Sequence, residues 1–115
     1  KSIEKYGARY LDKVFTPGEQ AYCGARPDPV THYSARFAAK ESFIKACGPR
    51  LTREGQVFRN IEIALDDRGC PQFLLHGETA RQISFNEYCA HLSLTHDKMV
   101  SAAVTVLEKT QHGSA

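Results

Sequence analysis

Apolar positions recur with helical spacing through the first half of the chain and alternate in the second, and that change of period orders the expected elements. Ile3, Tyr6, Tyr10 and Phe15 help make one face of an amino-terminal helix that carries Lys1, Lys5, Arg9 and Lys13 as a basic stripe. Thr16-Pro17-Gly18-Glu19 has the form of a capping box with proline at the first helical position, so a short helix starts there. Pro27, Asp28 and Pro29 interrupt the chain, after which Thr31 or Ser34 is placed to cap a long helix that Gly48-Pro49 ends. Residues 57–65 alternate, with Ile61, Ile63 and Leu65 opposite Asn60 and Glu62, which predicts a half-buried strand. Asp66-Asp67-Arg68-Gly69 reads as a turn and residues 73–75 as the returning strand, with Pro71 at its beginning or on an edge. A short helix over 78–85 follows. Residues 90–96 and 101–107 are strands that pair as a hairpin across Asp97-Lys98-Met99, and the residues from Gln111 onward are expected to fray. Helices followed by short strands give an α+β domain whose mostly antiparallel sheet packs against the long helix.

Within that helix, Glu41 and Lys45 lie about 40° apart on one stripe, while Arg36 and Lys40 form a second. Phe37 with Ile44 fills one gap between the stripes, and Ala39, Phe43 and Ala46 fill the other, so more than one face is expected to be buried. A carboxylate at position 41 among apolar neighbours calls for a cation, a metal or a substrate proton to offset its lost hydration. Taken alone, a Glu41 and Lys45 pair is usually just a helix salt bridge, worth roughly 0.3–0.5 kcal/mol.

The 115 residues, 42% hydrophobic and without an obvious linker, suit a single domain over 1–115. No apolar run is long enough to span a bilayer, and the amino end lacks the apolar stretch of a secretory signal, so a soluble, cytoplasmic chain is expected. A net charge of +2 is too small to imply nucleic acid. The basic stripe either docks an acidic partner or is a solvated face. Cys23, Cys47, Cys70 and Cys89 contain no C-x-x-C pair, which argues against zinc or a redox dithiol. They read as reduced thiols, Cys47 and Cys89 as small core residues, with two disulfides as the alternative.

Arg36-Phe37-Ala38-Ala39-Lys40-Glu41-Ser42-Phe43-Ile44-Lys45-Ala46 and His91-Leu92-Ser93-Leu94-Thr95-His96 together resemble two motifs of the holo-acyl-carrier-protein synthase family, the 4′-phosphopantetheinyl transferases. The likeness extends to Phe15-Thr16-Pro17-Gly18-Glu19, Asn60-Ile61-Glu62-Ile63, the Gly69-Cys70-Pro71 turn and Ala102-Ala103-Val104, in the family's order. It implies transfer of the phosphopantetheine arm of coenzyme A to a serine of apo acyl carrier protein, in fatty acid or polyketide biosynthesis, with magnesium. By the same resemblance Glu41 is a metal ligand that also activates the serine, directly or through water, and Lys45 contacts phosphate or the serine. Arg36 corresponds to the residue that holds the 3′-phosphate of coenzyme A, Gly69 and Pro71 to the loop beside its adenine, and His96 to a cofactor-contacting histidine. Arg9 and its helix correspond to the surface that docks the carrier protein, and the assembly to a homotrimer with active sites between subunits.

These roles agree with residue chemistry. Displacement at phosphorus concentrates charge that a divalent cation and a lysine stabilise, and an arginine fork suits a phosphate. Considered singly, His96 reads more often as a hydrogen-bonded strand end, Arg36 as often as a surface cation, and Asp97 as either the partner of His96 or the first residue of a turn. The family also opens with a strand bearing a second metal-binding aspartate, absent from these residues; the favoured expectation is that the chain lacks its native amino-terminal strand, the others being that it binds metal differently or is inactive. The alternative is a non-catalytic module that binds coenzyme A or a carrier protein.

Overall fold

A computed structural model of the chain describes residues 2–85, 87–96 and 101–110, with the side chains of 2–6, 96 and 101 outside that description. The turn expected at Asp97-Lys98-Met99, Lys1 and Lys5 of the basic stripe, Ile3 and Tyr6 of its apolar partner face, and the tail from Gln111 therefore lie outside the described residues or side chains. Helix α1 (Ser2–Val14) is broken by Gly7 at φ 63°, so the stripe does not continue along one straight axis. Helix α2 spans Pro17–Gly24 and α3 spans Pro29–Cys47; a short turn α4 (Val57–Asn60) leads into β1 (Ile61–Leu65), β2 (Pro71–Leu75), α5 (Gly77–Gln82), β3 (Tyr88–His96) and β4 (Ser101–Lys109). β1 pairs with β2 and β3 with β4, both antiparallel, giving two small sheets against the long α3.

The capping box forms as the sequence predicts: Thr16 N–H donates to Glu19 Oε1 at 3.0 Å and Glu19 N–H to Thr16 Oγ1 at 3.2 Å. Glu19 then does more than cap. It is 1% exposed, accepts Ile63 N–H at 2.7 Å and meets Lys40 Nζ at 2.8 Å, tying α2 to β1 and α3. Lys40 is fully buried, and donates also to the carbonyls of Phe58 and Ile61 at 2.8 and 2.6 Å. This corrects the expectation that Glu41 carries the costly burial. The Glu41 side chain keeps 32% exposure, whereas Arg36 and Lys40, the second stripe, turn inward. The hydration lost by the ammonium is offset by three acceptors, as a buried charge requires.

α3 begins at Pro29 with Asp28 at its cap, earlier than Thr31 or Ser34, because the proline ring pre-sets the first helical φ. Thr31 donates its hydroxyl to the Asp28 carboxylate instead. The helix buries Tyr33, Ala35, Ala39, Phe43, Ile44 and Cys47 on more than one face, as its pattern requires. Residues 57–60 are a helical turn rather than the start of a strand. Asn60 N–H bonds to Gln56 O at 2.8 Å, and the Asn60 carbonyl takes His76 N–H at 2.8 Å, which starts the β ladder only at Ile61. Gly77 is needed there: at φ 56° an added Cβ would stand 3.1 Å from Asn60 Oδ1. The helix expected over 78–85 stops at Gln82, because Ile83, 1% exposed, leaves it for the core.

The hairpin of β3 and β4 extends past both expected ends, with Leu92↔Thr105 and Leu94↔Ala103 in register. Leu92, Leu94, Ala103 and Leu107 pack on Phe43, Ile44, Ile61, Ile63 and Phe73. Ser42 and Thr105 share a hydrogen bond that ties α3 to this hairpin. Cys89, expected in the core, is exposed, since the inward side of β3 is taken by Tyr88, Ala90, Leu92 and Leu94.

All four cysteines are free, and burial raises the thiols of Cys23 and Cys47 from 9.0 to about 11. Between those values the unfolded chain has lost protons that the folded chain keeps, so stability falls as pH rises, at about 1.4 kcal/mol per pKa unit for each fully shifted group. Lys40, lowered by burial against the pull of Glu19, contributes with the opposite sign below 10.5. With two thiols against one amine, the urea midpoint is expected to drop between pH 8.5 and 10.5. A level or rising midpoint contradicts the thiol contribution.

Candidate active site

A cavity of about 200 Å³ opens where α2, α3, the β1–β2 turn and β3 approach one another, and Tyr22, His32, Arg36, Gly69, Pro71 and Leu94 are among its lining residues. Three residues selected from the sequence, Arg36, Gly69 and Pro71, thus meet in space although they are far apart in the chain. The turn is shaped by Asp66, whose Oδ1 accepts the N–H of Arg68 at 2.8 Å and of Cys70 at 2.9 Å, with Gly69 at φ 84° completing the reversal. These bonds hold Gly69 and Pro71 at the cavity wall.

Arg36 supplies the charge. It is 5% exposed, its Cζ lies 4.4 Å from the Tyr22 ring centroid, and its Nε has no hydrogen-bond partner among the described residues. A guanidinium stays protonated at any physiological pH, so a buried one with free donors is suited to an anion from solution. His96 ends β3 two residues beyond Leu94, and its side chain is outside the described residues.

Glu41 and Lys45 follow Arg36 along α3 but do not line this cavity. Glu41 Oε1 faces Arg53 Nη2 at 3.6 Å, with the two side chains 32% and 53% exposed. Lys45 is exposed and makes no ion pair with Glu41 among the described residues, so the simple i, i+4 bridge is replaced by one to Arg53. Glu41 also lies near Tyr10, whose phenol is raised by burial first and by the Glu41 charge second. On α1, Arg9 and Lys13 are exposed.

A second cavity, about 300 Å³, is lined by Thr16, Gly18, Asn60, Glu62 and His76, among others. Within it His76 Nε2 lies 2.8 Å from Glu62 Oε1. Tyr22, His32 and Arg53 had no signal in the sequence pattern, because each acts through a contact with a distant segment.

The model of the 4′-phosphopantetheinyl transferase superfamily matches residues 1–97. The chain belongs to that superfamily. Among its relatives, a holo-[acyl-carrier-protein] synthase of Geobacter sulfurreducens is 38% identical over 110 residues, covering 93% of this chain and 85% of its own. The synthase of Maridesulfovibrio salexigens is 42% identical over 110 residues, covering 95% and 87%. Among solved structures, the ACPS–CoA complex of Chronobacterium ammoniagenes superposes with a TM-score of 0.77 at 28% identity, covering 90% of this chain and 83% of that one. The α+β architecture deduced from the alternation is therefore that of the phosphopantetheinyl transferases. Among the described residues no helix is long and apolar enough to cross a membrane.

Proposed function

We propose that this chain is a holo-[acyl-carrier-protein] synthase, transferring 4′-phosphopantetheine from coenzyme A to a serine of apo acyl carrier protein in fatty acid or polyketide biosynthesis. The observation that carries the reading is the meeting of Arg36, Gly69 and Pro71 in one cavity, in a chain whose relatives bear that name. Arg36 holds the 3′-phosphate, and the Gly69 and Pro71 turn lies along the adenine. His96 contacts the cofactor from the end of β3.

The serine oxygen forms a new bond to phosphorus, the bridging bond of the pyrophosphate breaks, and 3′,5′-adenosine bisphosphate leaves. The serine proton departs through Glu41, directly or by way of water. Lys45 presents an ammonium to the phosphoryl oxygens or the serine, and its exposure suits a group that meets an arriving macromolecule.

Glu41 fits a magnesium ion. Its carboxylate is a hard oxygen donor that makes a loose, partly exposed pair to Arg53 among the described residues. Glu41 would supply one oxygen ligand to the ion, with water and phosphate oxygens among the others, a coordination magnesium accepts. Bound there, it supplies positive charge against the pyrophosphate.

Arg9, with Lys13, faces solvent on α1 and offers a basic surface to the acidic carrier protein. A homotrimer is supported by the outer face of the β3–β4 hairpin, where Val104 and Val106 are 61% and 50% exposed. Free thiols are consistent with the cytoplasm.

The reading is tested by incubating the chain with apo acyl carrier protein, coenzyme A and magnesium and weighing the carrier protein. Gain of the arm's mass is expected. Coenzyme A binding without mass gain leaves a non-catalytic binding module. Arg36→Ala is expected to raise KM for coenzyme A about tenfold or more while KM for the carrier protein changes little. An unchanged coenzyme A constant rejects the phosphate assignment.

A further inference from the structure

The ring of Tyr22 is shared by two guanidinium groups. Arg36 Cζ lies 4.4 Å from its centroid and Arg26 Cζ 4.5 Å, and the His32 ring meets it edge-on at 5.9 Å. Two like charges on one ring repel each other, and neither guanidinium Nε has a hydrogen-bond partner among the described residues. Both Nε atoms are nevertheless buried. Buried donors of this kind ordinarily have an acceptor, so its source is sought outside the chain.

Stacking engages a guanidinium through its face and leaves its N–H edges free in the plane. Tyr22 and Arg36 line the 200 Å³ cavity with Gly69 and Pro71; Arg26 does not. The Arg36 stem alone would leave the guanidinium several rotamers. A ring against its face selects among them. We propose that Tyr22 is a positioning residue that holds Arg36 with its N–H edge toward the 3′-phosphate of coenzyme A, and that Arg26 steadies the Tyr22 ring from beyond the cavity. This rests on the coenzyme A reading and adds to it the element that sets preference for a ligand phosphorylated at the 3′ position.

The test compares dissociation constants for coenzyme A and for dephospho-coenzyme A, which lacks the 3′-phosphate, by titration calorimetry. The native chain is expected to prefer coenzyme A by about tenfold or more. Tyr22→Phe retains the ring and should retain that preference. Tyr22→Leu should lower it to about twofold through weaker coenzyme A binding, with the dephospho constant little changed. Arg26→Leu, at a half-exposed position, should lower it about threefold, and supplies the test if Tyr22→Leu does not fold. A native preference in both folded leucine variants, with Arg36→Ala abolishing it, overturns the positioning role and leaves the function standing. If Arg36→Ala leaves the preference intact as well, the phosphate assignment in the proposed function fails.

Discussion

Glu41→Ala is expected to lower phosphopantetheine transfer at least about 100-fold while the thermal midpoint stays within a few degrees of the native value. The two outcomes separate because Glu41 contributes little to the fold. Its ion pair with Arg53 is 3.6 Å long and its side chain is 32% exposed, a class worth about 0–1 kcal/mol at most. Alanine is the best helix former, so the substitution recovers part of that loss. In the proposed reaction the same carboxylate meets both the metal and the serine proton, and nothing adjacent replaces it. Lys45 has the wrong charge, and Tyr10, with its phenol proton held more tightly than usual, is a poor base near neutral pH. The readouts are single-turnover transfer by mass and thermal unfolding by circular dichroism. A rate within threefold of native would remove Glu41 from the chemistry.

Lys40→Met is expected to have the largest effect on stability, about 3–5 kcal/mol, with a fall in Tm of roughly 10 °C or more. The methionine stem fills similar space, so the loss comes from polar groups left behind: the Glu19 carboxylate, 1% exposed, and the carbonyls of Phe58 and Ile61. Glu19→Gln is expected to be destabilising as well, because its single amide oxygen can replace only one of two carboxylate oxygens, Oε1 accepting from Thr16 and Lys40 and Oε2 from Ile63. The double variant should be more stable than the sum of the single effects predicts, since the two residues share one interaction. Urea denaturation of all four proteins measures the coupling. Strict additivity, or a Lys40→Met cost under 1 kcal/mol, would mean that the buried pair does not hold the helices to β1.

What was legible in the sequence follows the reach of each interaction. The capping box closes within four residues, so Thr16, Pro17 and Glu19 announce α2 correctly. The alternation of residues 90–96 fixes which side of β3 meets the core, because a strand exposes its two faces by strict turns. Residues 57–60, read from the sequence as the start of a strand, are a helical turn, since the Asn60 carbonyl is claimed by His76 and the Phe58 carbonyl by Lys40. Those partners are remote and leave no mark on local periodicity. The stripes of α3 identify Arg36, Lys40, Glu41 and Lys45 as a charged set, but a helical wheel does not say which stripe faces a neighbour. Packing of α2 and β1 buried Lys40 and left Glu41 accessible.

For the candidate site the division is the same. Residue types and their order named Arg36, Gly69, Pro71, Glu41 and Lys45 and, with them, a phosphate-handling chemistry and a family. Only the tertiary structure put the first three around one cavity, gave Arg36 a ring to lie on and matched Glu41 with Arg53. Chemical identity travels with each residue, whereas a cavity exists only once segments distant in the chain have traded their conformational freedom for contact with one another.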